Sequence, residues 1–364
     1  MIEIGNSELF DRQGNRFFFP EKLVSTVTSP LFLSKRFFYT FGPHDPSIRV
    51  ENGQSLTVVC PDSDNALADG TELTNDQRQT SPGSDLFEGN PLAGPIYVEG
   101  AKAGDCLAVK IEKIELDRDW GRTLLAPAHG LLSSDHFDLA NTDPGSRERV
   151  PRHLYRWKLD RERATAQLEN PLGEEPFEIP LHPMVGAIGV CPPWGQSIST
   201  LFAGSYGGNL DLSILDSGAT IMLPVYQEGG LLLLGDIHAA QGHGEIVGGG
   251  IETSGQVHVT IRNLAGCQIA GPRIVTETHL YAVATDGDLR TAISRASGRL
   301  VDWLTDPLGC NRWDAYQLMS QTCSFEIGGI VAESCSSVAA GIPIEHLPMH
   351  CQKRLEDLLR CLVP

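Results

Sequence analysis

The chain has 364 residues, 41% hydrophobic and 20% charged, which is enough apolar material for one large domain or two intertwined lobes and too ordered a composition for a disordered segment. A formal net charge of −18 excludes generic binding to nucleic acid or to an anionic membrane, since both need clustered Lys and Arg. Neutral molecules and cations are the expected partners, and no apolar run has the length of a membrane span.

Residues 1–8 lack a basic segment leading into an apolar signal core, and the nine cysteines are scattered without a Cys-x-x-Cys pair. Both features predict reduced thiols and a cytoplasmic protein, with any metal held by oxygen and nitrogen. The 38 glycines and 23 prolines between short Val/Ile-rich runs predict an α+β chain that is mostly β, with barrel-like or sandwich-like modules and flanking helices.

In chain order, the first clear strand is Leu56-Thr57-Val58-Val59, followed by the acidic run Cys60-Pro61-Asp62-Ser63-Asp64-Asn65. Its carboxylates either share a divalent cation or accept bonds from nearby amides, and Asp62 reads as a turn residue. Next, Pro95-Ile96-Tyr97-Val98-Glu99-Gly100 leads through Gly104-Asp105 into alternating Leu107, Val109 and Ile111, a strand-turn-strand pattern. The pattern returns as Pro224-Val225-Tyr226-Gln227-Glu228-Gly229 followed by Gly235-Asp236. This echo predicts internally duplicated β modules. Between the copies, residues 141–176 are rich in charge and broken by Pro144-Gly145 and Pro171-Leu172-Gly173. They read as a surface insertion or crossing that divides a β-rich half, 1–176, from a second half, 177–364, that carries the chemistry.

In that second half His182 stands before Pro183 at a strand entrance, either free to face a cleft or capping a turn. Cys191, in a rigid Pro-rich loop, reads as an inert thiol. Gly207-Gly208-Asn209-Leu210-Asp211 permits close approach of a ligand, with Asp211 a candidate metal ligand and Asn209 able to orient a carbonyl, or else forms an Asx turn. If 231–238 is a strand, Asp236 and His238 share one face by period-two alternation, and both reach one cation. Gly242 and Gly244 then let His243 or Glu245 approach the same point. Three glycines precede Glu252, which can stand against a bound substrate, or the run is a simple bulge, and 257–261 is a further strand. Helical spacing of Leu289, Ile293, Leu300 and Leu304 predicts a helix over 288–304, and 313–319 resembles a second.

Several of these stretches occur together and in order. Asn90-Pro91-Leu92-Ala93-Gly94-Pro95-Ile96-Tyr97-Val98-Glu99-Gly100-Ala101, His182-Pro183-Met184-Val185-Gly186, Gly208-Asn209-Leu210-Asp211 and Gly235-Asp236-Ile237-His238-Ala239-Ala240-Gln241-Gly242 resemble the acetamidase/formamidase family from about residue 40 to about residue 330. The resemblance implies an internally duplicated, mostly β fold and a cytoplasmic homo-oligomer, a dimer or larger. It also implies hydrolysis of short aliphatic amides to ammonia and a carboxylate. The chain departs from the family pattern at His243, where the family has an acid, and at Leu210, where it has methionine. A serine-type amidase is disfavoured because no Gly-Gly-Ser-Ser-Gly run with a catalytic lysine is visible.

The chemistry of amides completes the expectation. Resonance makes the carbonyl a poor electrophile and the amine a poor leaving group, and a divalent metal addresses the first while activating water. The expected ligands are Asp211, Asp236 and His238. Glu245 is the expected base or a further ligand, His182 a ligand or the acid toward the leaving nitrogen, and Asn209 and Glu252 the groups facing a small neutral amide. Zinc suits such N/O ligands, with calcium or magnesium suited to an all-oxygen site. The alternatives are a same-fold hydrolase of a larger or cyclic amide or carbamate, and a binding protein that has lost its chemistry.

Overall fold

The computed structural model describes residues 29–80, 89–127, 129–132, 150–330 and 335–360. Two large sheets share the chain. Strands β1 (Ser55–Cys60), β2 (Leu92–Val98), β3 (Cys106–Leu116) and β4 (Trp120–Leu125) come first. They are followed by β5 (Met184–Gly189), β6 (Gly207–Asn209), β7 (Thr220–Pro224), β8 (Leu232–His238), β9 (Glu252–Thr253) and β10 (Gly255–Leu264). Then β11 (Arg273–Val275) and β12 (His279–Asp286) lead into α1 (Leu289–Thr305) and α2 (Arg312–Thr322). Finally come β13 (Ser324–Ile327), β14 (Ser336–Pro343) and α3 (Met349–Arg360).

The first sheet runs β1-β10-β3-β7-β11-β12-β14-β13, and the second places β4-β9-β8-β5-β6 side by side with β2 also paired to β8. The mostly-β expectation holds, and it follows from long runs of β-branched and leucine residues cut by glycine turns. The units β2-turn-β3 and β7-turn-β8 exchange strands, since β2 pairs with β8 and β3 with β7, both antiparallel. The Gly-Asp dipeptides, however, are not equivalent. Gly104-Asp105 closes the turn before β3, where the Asp105 carboxylate accepts the Lys102 N–H at 2.9 Å, whereas Gly235-Asp236 lies inside β8. The two copies of the echo therefore do not correspond at their Gly-Asp dipeptides, one a turn and the other inside a strand, and the expected duplication does not hold there.

Beyond β4 the strands His153–Asp160, Thr165–Leu168 and Glu178–Pro180 extend the second sheet as an antiparallel meander. Arg156 and Lys158 face solvent while Trp157 and Leu159 are buried, so the charge read as an insertion is the wet face of a sheet. Residues 141–149 of that stretch lie outside the described residues. Both sheets draw strands from either side of residue 176.

One core fills the space between the sheets, and a second lies under the helices around fully buried Trp303. The first expected helix is α1, with Asp288 as its cap, accepting the Thr291 N–H at 2.7 Å. In α2 the cap is Asn311, one residue upstream of the start of the helix. The sequence reading missed α3, which buries only Cys351 and Leu355. No helix among the described residues is long and apolar enough to cross a membrane, and the eight described cysteines are unbridged.

Asp62 does make the expected turn, accepting the Ala66 N–H at 2.7 Å, but its second oxygen meets Arg118 at 2.7 Å and Arg122 at 3.1 Å. Arg122 also pairs with Asp64 at 2.6 Å, so the acidic run is neutralised by arginines. Arg118 continues to the Thr253 hydroxyl and the Trp120 carbonyl, both at 3.1 Å, and so ties β9 to β4. The Asp62 and Arg118 side chains are 0% and 2% exposed, which makes their pair a desolvated one. Asp62→Ala should therefore cost about 3–5 kcal/mol in equilibrium urea unfolding by stranding a buried guanidinium. Asp64→Ala, with a side chain 58% exposed, should cost less than about 1 kcal/mol, and equal losses would refute this account.

Candidate metal centre and active site

Strand β8 lies at the heart of the second sheet, and all seven of its residues are buried. It brings Asp236 and His238 together, with Nε2 3.3 Å from the Asp236 carboxylate. Simple alternation is not the whole cause. Asp236 has φ +60°, in the left-handed region, and so do Asp211 at +49° and Glu245 at +48°. Three of the seven non-glycine residues with positive φ among the described residues are thus acids of one cluster. At about 1–3 kcal/mol each, such strain persists only where the surrounding fold holds it.

Asp211 follows β6, and the N–H groups of Leu210 and Asp211 both donate to the Gly186 carbonyl at 3.0 Å. Glu245 ends the short 3-10 turn His243–Glu245, where its N–H reaches the Gly242 carbonyl at 3.2 Å. Glu252 opens β9 directly opposite His238. Its carboxylate accepts the Gly250 N–H at 2.9 Å and stands 3.1 Å from His238 Nε2. Ligand atoms of Asp211, His238 and Glu245 lie within 4.8 Å of one another, and so do those of Asp236, His238 and Glu252. The imidazole is common to both groups.

Amides hold these side chains in place. Asn90 donates to the Asp236 carboxylate at 2.6 Å and to the Asn209 carbonyl at 2.9 Å, and Asn209 donates to Asp211 at 2.7 Å. Gln241 donates its NH₂ to the Asp211 main-chain carbonyl at 2.6 Å, which fixes its other atom as the acceptor for His238 Nδ1 at 2.6 Å. The proton is thereby held on Nδ1, and Nε2 is left to face the carboxylates. Two glycines allow the crowding. A Cβ on Gly186 would stand 2.6 Å from the Asp236 carboxylate and 2.9 Å from that of Asp211, and one on Gly329 would stand 2.7 Å from Asp211.

Burial, then the neighbouring Glu245 and Asp236 charges, hold the Asp211 carboxyl well above its ordinary range. Burial also raises Asp236 against the pull of His238, and pushes Glu245 up to about 8. For His238, burial works against the charge but is outweighed by Glu252 and Asp236, and the imidazole is held well above its usual value. Glu252 alone is lowered: burial opposes its charge, and the facing imidazole prevails. One oxygen of Asp211, Oδ1, is buried with no hydrogen-bond donor among the described residues. An orphaned carboxylate oxygen beside an imidazole nitrogen and further acids fits a divalent cation as its missing partner.

Of the residues expected here, Asp211, Asp236, His238 and Glu245 converge. Glu252 joins them as a neighbour of the imidazole, and Asn209 holds Asp211. His182 is not brought in. Its N–H bonds to Ala239, but the half-exposed imidazole is taken by Asp216 at 2.9 Å, a contact that raises its pKa. His243 meets Glu326 at 3.3 Å, outside both converging groups. Burial pushes the Cys191 thiol up to about 11, in keeping with an inert cysteine. The sequence reading passed over Asn90 and Gln241 as site residues, although both stand in the motif stretches. A buried carboxylate next to a Gly-rich segment needs an amide donor, and that requirement was the available signal.

The family model for the acetamidase/formamidase family matches residues 42–153 and 195–347. A formamidase from Methylophilus methylotrophus is 27% identical over 260 residues, which cover 58% of this chain and 60% of that protein, so the match spans about three fifths of that relative. Among solved structures, an acetamidase from Yersinia enterocolitica superposes with a TM-score of 0.71 at 28% identity, covering 87% of this chain and 91% of its own. An acetamidase from Bacillus halodurans gives 0.72 at 25% identity over 87% and 98%. On the extent of that family match, with the fold in agreement, the chain belongs to the acetamidase/formamidase family.

Proposed function

We propose that the chain is a metal-dependent hydrolase of short aliphatic amides, converting an amide and water to a carboxylate and ammonia. The observation that carries this reading is the buried convergence of four acids on His238, with the Asp211 oxygen left unpartnered. Family membership supplies the reaction class, and the names of its relatives, formamidase and acetamidase, favour a small acyl group.

Asp211, Asp236 and His238 are the residues that would hold the ion, with Glu252 beside the imidazole. A divalent ion there supplies Lewis acidity toward the amide carbonyl and eases deprotonation of water. Zinc suits the mixed donor set, and calcium or magnesium would suit its oxygen-rich side. Asn90, Asn209 and Gln241 orient the ligands, which keeps the cost of reorganisation low when substrate arrives. Glu245 is the acid best placed to move a proton. Asp211 and Asp236 are anchored by asparagines and Glu252 by the Gly250 N–H, while the described partner of the Glu245 carboxyl is the Asp211 carboxyl. Glu245 takes a proton from the attacking water and returns it to the leaving nitrogen, which departs as ammonia.

Elemental analysis of protein purified without added metal should find a divalent ion near stoichiometry at this site, so that Asp236→Ala and His238→Ala each hold about one equivalent less metal than the wild type. Glu245→Gln should keep the ion and lose at least about 10²-fold in kcat for ammonia release from formamide or acetamide. Loss of metal in that variant would make Glu245 a ligand, and ammonia from none of a panel graded by acyl size would refute the hydrolase.

The ion also sets how stability depends on pH. In metal-stripped protein the raised carboxyls of Asp211, Asp236 and Glu245, and the raised His238, bind protons more tightly folded than unfolded. Their contribution is fully present below the unfolded values and is lost as pH rises through the folded ones, about 8 for Glu245. Thermal scans should show Tm of the stripped protein falling from pH 5 to pH 9, with restored metal flattening the slope. A slope that metal does not change would place the ion elsewhere.

A further inference from the structure

A second group of side chains able to ligate a metal stands apart from the cluster around His238. Cys310, His350 and Cys351 present ligand atoms within 4.8 Å of one another. Cys310 lies in the turn between α1 and α2, fixed by its N–H bond to the Leu304 carbonyl at 2.9 Å. Cys351 lies in the first turn of α3, with its N–H on the Pro348 carbonyl at 2.8 Å. Both cysteines are buried and His350 is exposed.

Cys351 Sγ is 3.3 Å from His350 Nε2. A tetrahedral zinc with a Zn–S distance of about 2.3 Å and a Zn–N distance of about 2.0 Å has an N···S edge of about 3.5 Å, so this pair is already near ligand spacing. We propose that Cys310, His350 and Cys351 form a site for a thiophilic divalent cation, of the zinc class, that ties the α1–α2 turn to α3. Two thiolates neutralise a dication, which removes most of the penalty for burying it. Binding exchanges two S–H protons for two metal–sulfur bonds, and the released protons pass to solvent. The imidazole gives up its present 3.2 Å contact with the Gly309 carbonyl in return for the metal. The exposed His350 side leaves a fourth position open to water. Nearby charges are mixed, with Asp314 acting on Cys310 and the Arg354 guanidinium lying over Gly309.

The donor set differs in kind from that around His238. Sulfur selects thiophilic metals, whereas an oxygen-rich set accepts hard ones, so the two sites can be read separately. Reduced, metal-stripped full-length chain titrated with Cd²⁺ should develop the ultraviolet thiolate-to-cadmium charge-transfer band, saturating near one equivalent. Cys310→Ser and Cys351→Ser should each remove most of the band, while Cys267→Ser and Asp236→Ala should leave it intact. Because His350 is on the surface, His350→Ala tests the site without disturbing the buried thiols, and should weaken Cd²⁺ binding at least tenfold. No thiolate band in the wild type, or a band that survives the Cys310→Ser/Cys351→Ser double variant, would overturn the proposal.

Discussion

Four acids buried around one imidazole repel one another, and the sheet around β8 is organised to hold them there. Two unit charges 4 Å apart interact by about 4 kcal/mol at an effective dielectric of 20, so the cluster is untenable without protons or a cation among the oxygens. The raised pKa values of Asp211, Asp236 and Glu245 express that demand as bound protons. The raised value of His238 expresses it as a cationic ring facing Asp236 and Glu252. A divalent ion, as proposed, would replace those protons with one compact charge.

Holding the oxygens close requires a scaffold that cannot relax. Asp236 and His238 lie on a strand paired on both sides, and Glu252 is registered against His238 by the sheet ladder. Asp211 is pinned through the Gly186 carbonyl, and the absence of a Cβ at Gly186 is what lets β5 run beneath both aspartates. The strain of three left-handed acids is concentrated where the chemistry is, a pattern expected of sites whose geometry is imposed by their surroundings. Arg118 extends the same support outward, since it joins β9, which carries Glu252, to Asp62 and β4. The buried ion pair and the site therefore share one mechanical frame.

How much of this was legible in the sequence depends on which interaction decides each residue. Asp236 and His238 were readable because a leucine run fixes a strand and two residues apart means one face. The α1 helix was readable because its apolar spacing is regular and Asp288 caps it. The α3 helix was missed although Cys351, Leu355 and Leu359 recur at helical spacing and pack toward the core beneath the helices. Glu252 was read as facing substrate, and its place beside His238 depends on a long-range strand register that no local pattern encodes. His182 was drawn toward the site by its motif, but Asp216, thirty-four residues downstream, takes its imidazole. The charged 141–176 stretch reads as a surface insertion or crossing because its charges mask the alternation of His153–Asp160, where Arg156 and Lys158 are exposed and Trp157 and Leu159 buried.

The departure from the family pattern at His243 can be placed in the same terms. Its imidazole, mostly exposed, meets Glu326 of β13 at 3.3 Å and contributes to neither group of converging ligands. The neighbouring Gly244 carbonyl accepts the Ile330 N–H, and Gly329, between Glu326 and Ile330 in sequence terms, abuts Asp211. An acid at position 243 would face Glu326 as a like charge, whereas a histidine offers it a partner. The substitution therefore leaves the ligand set around His238 intact and acts on the contact between the turn that carries Glu245 and the segment that covers Asp211.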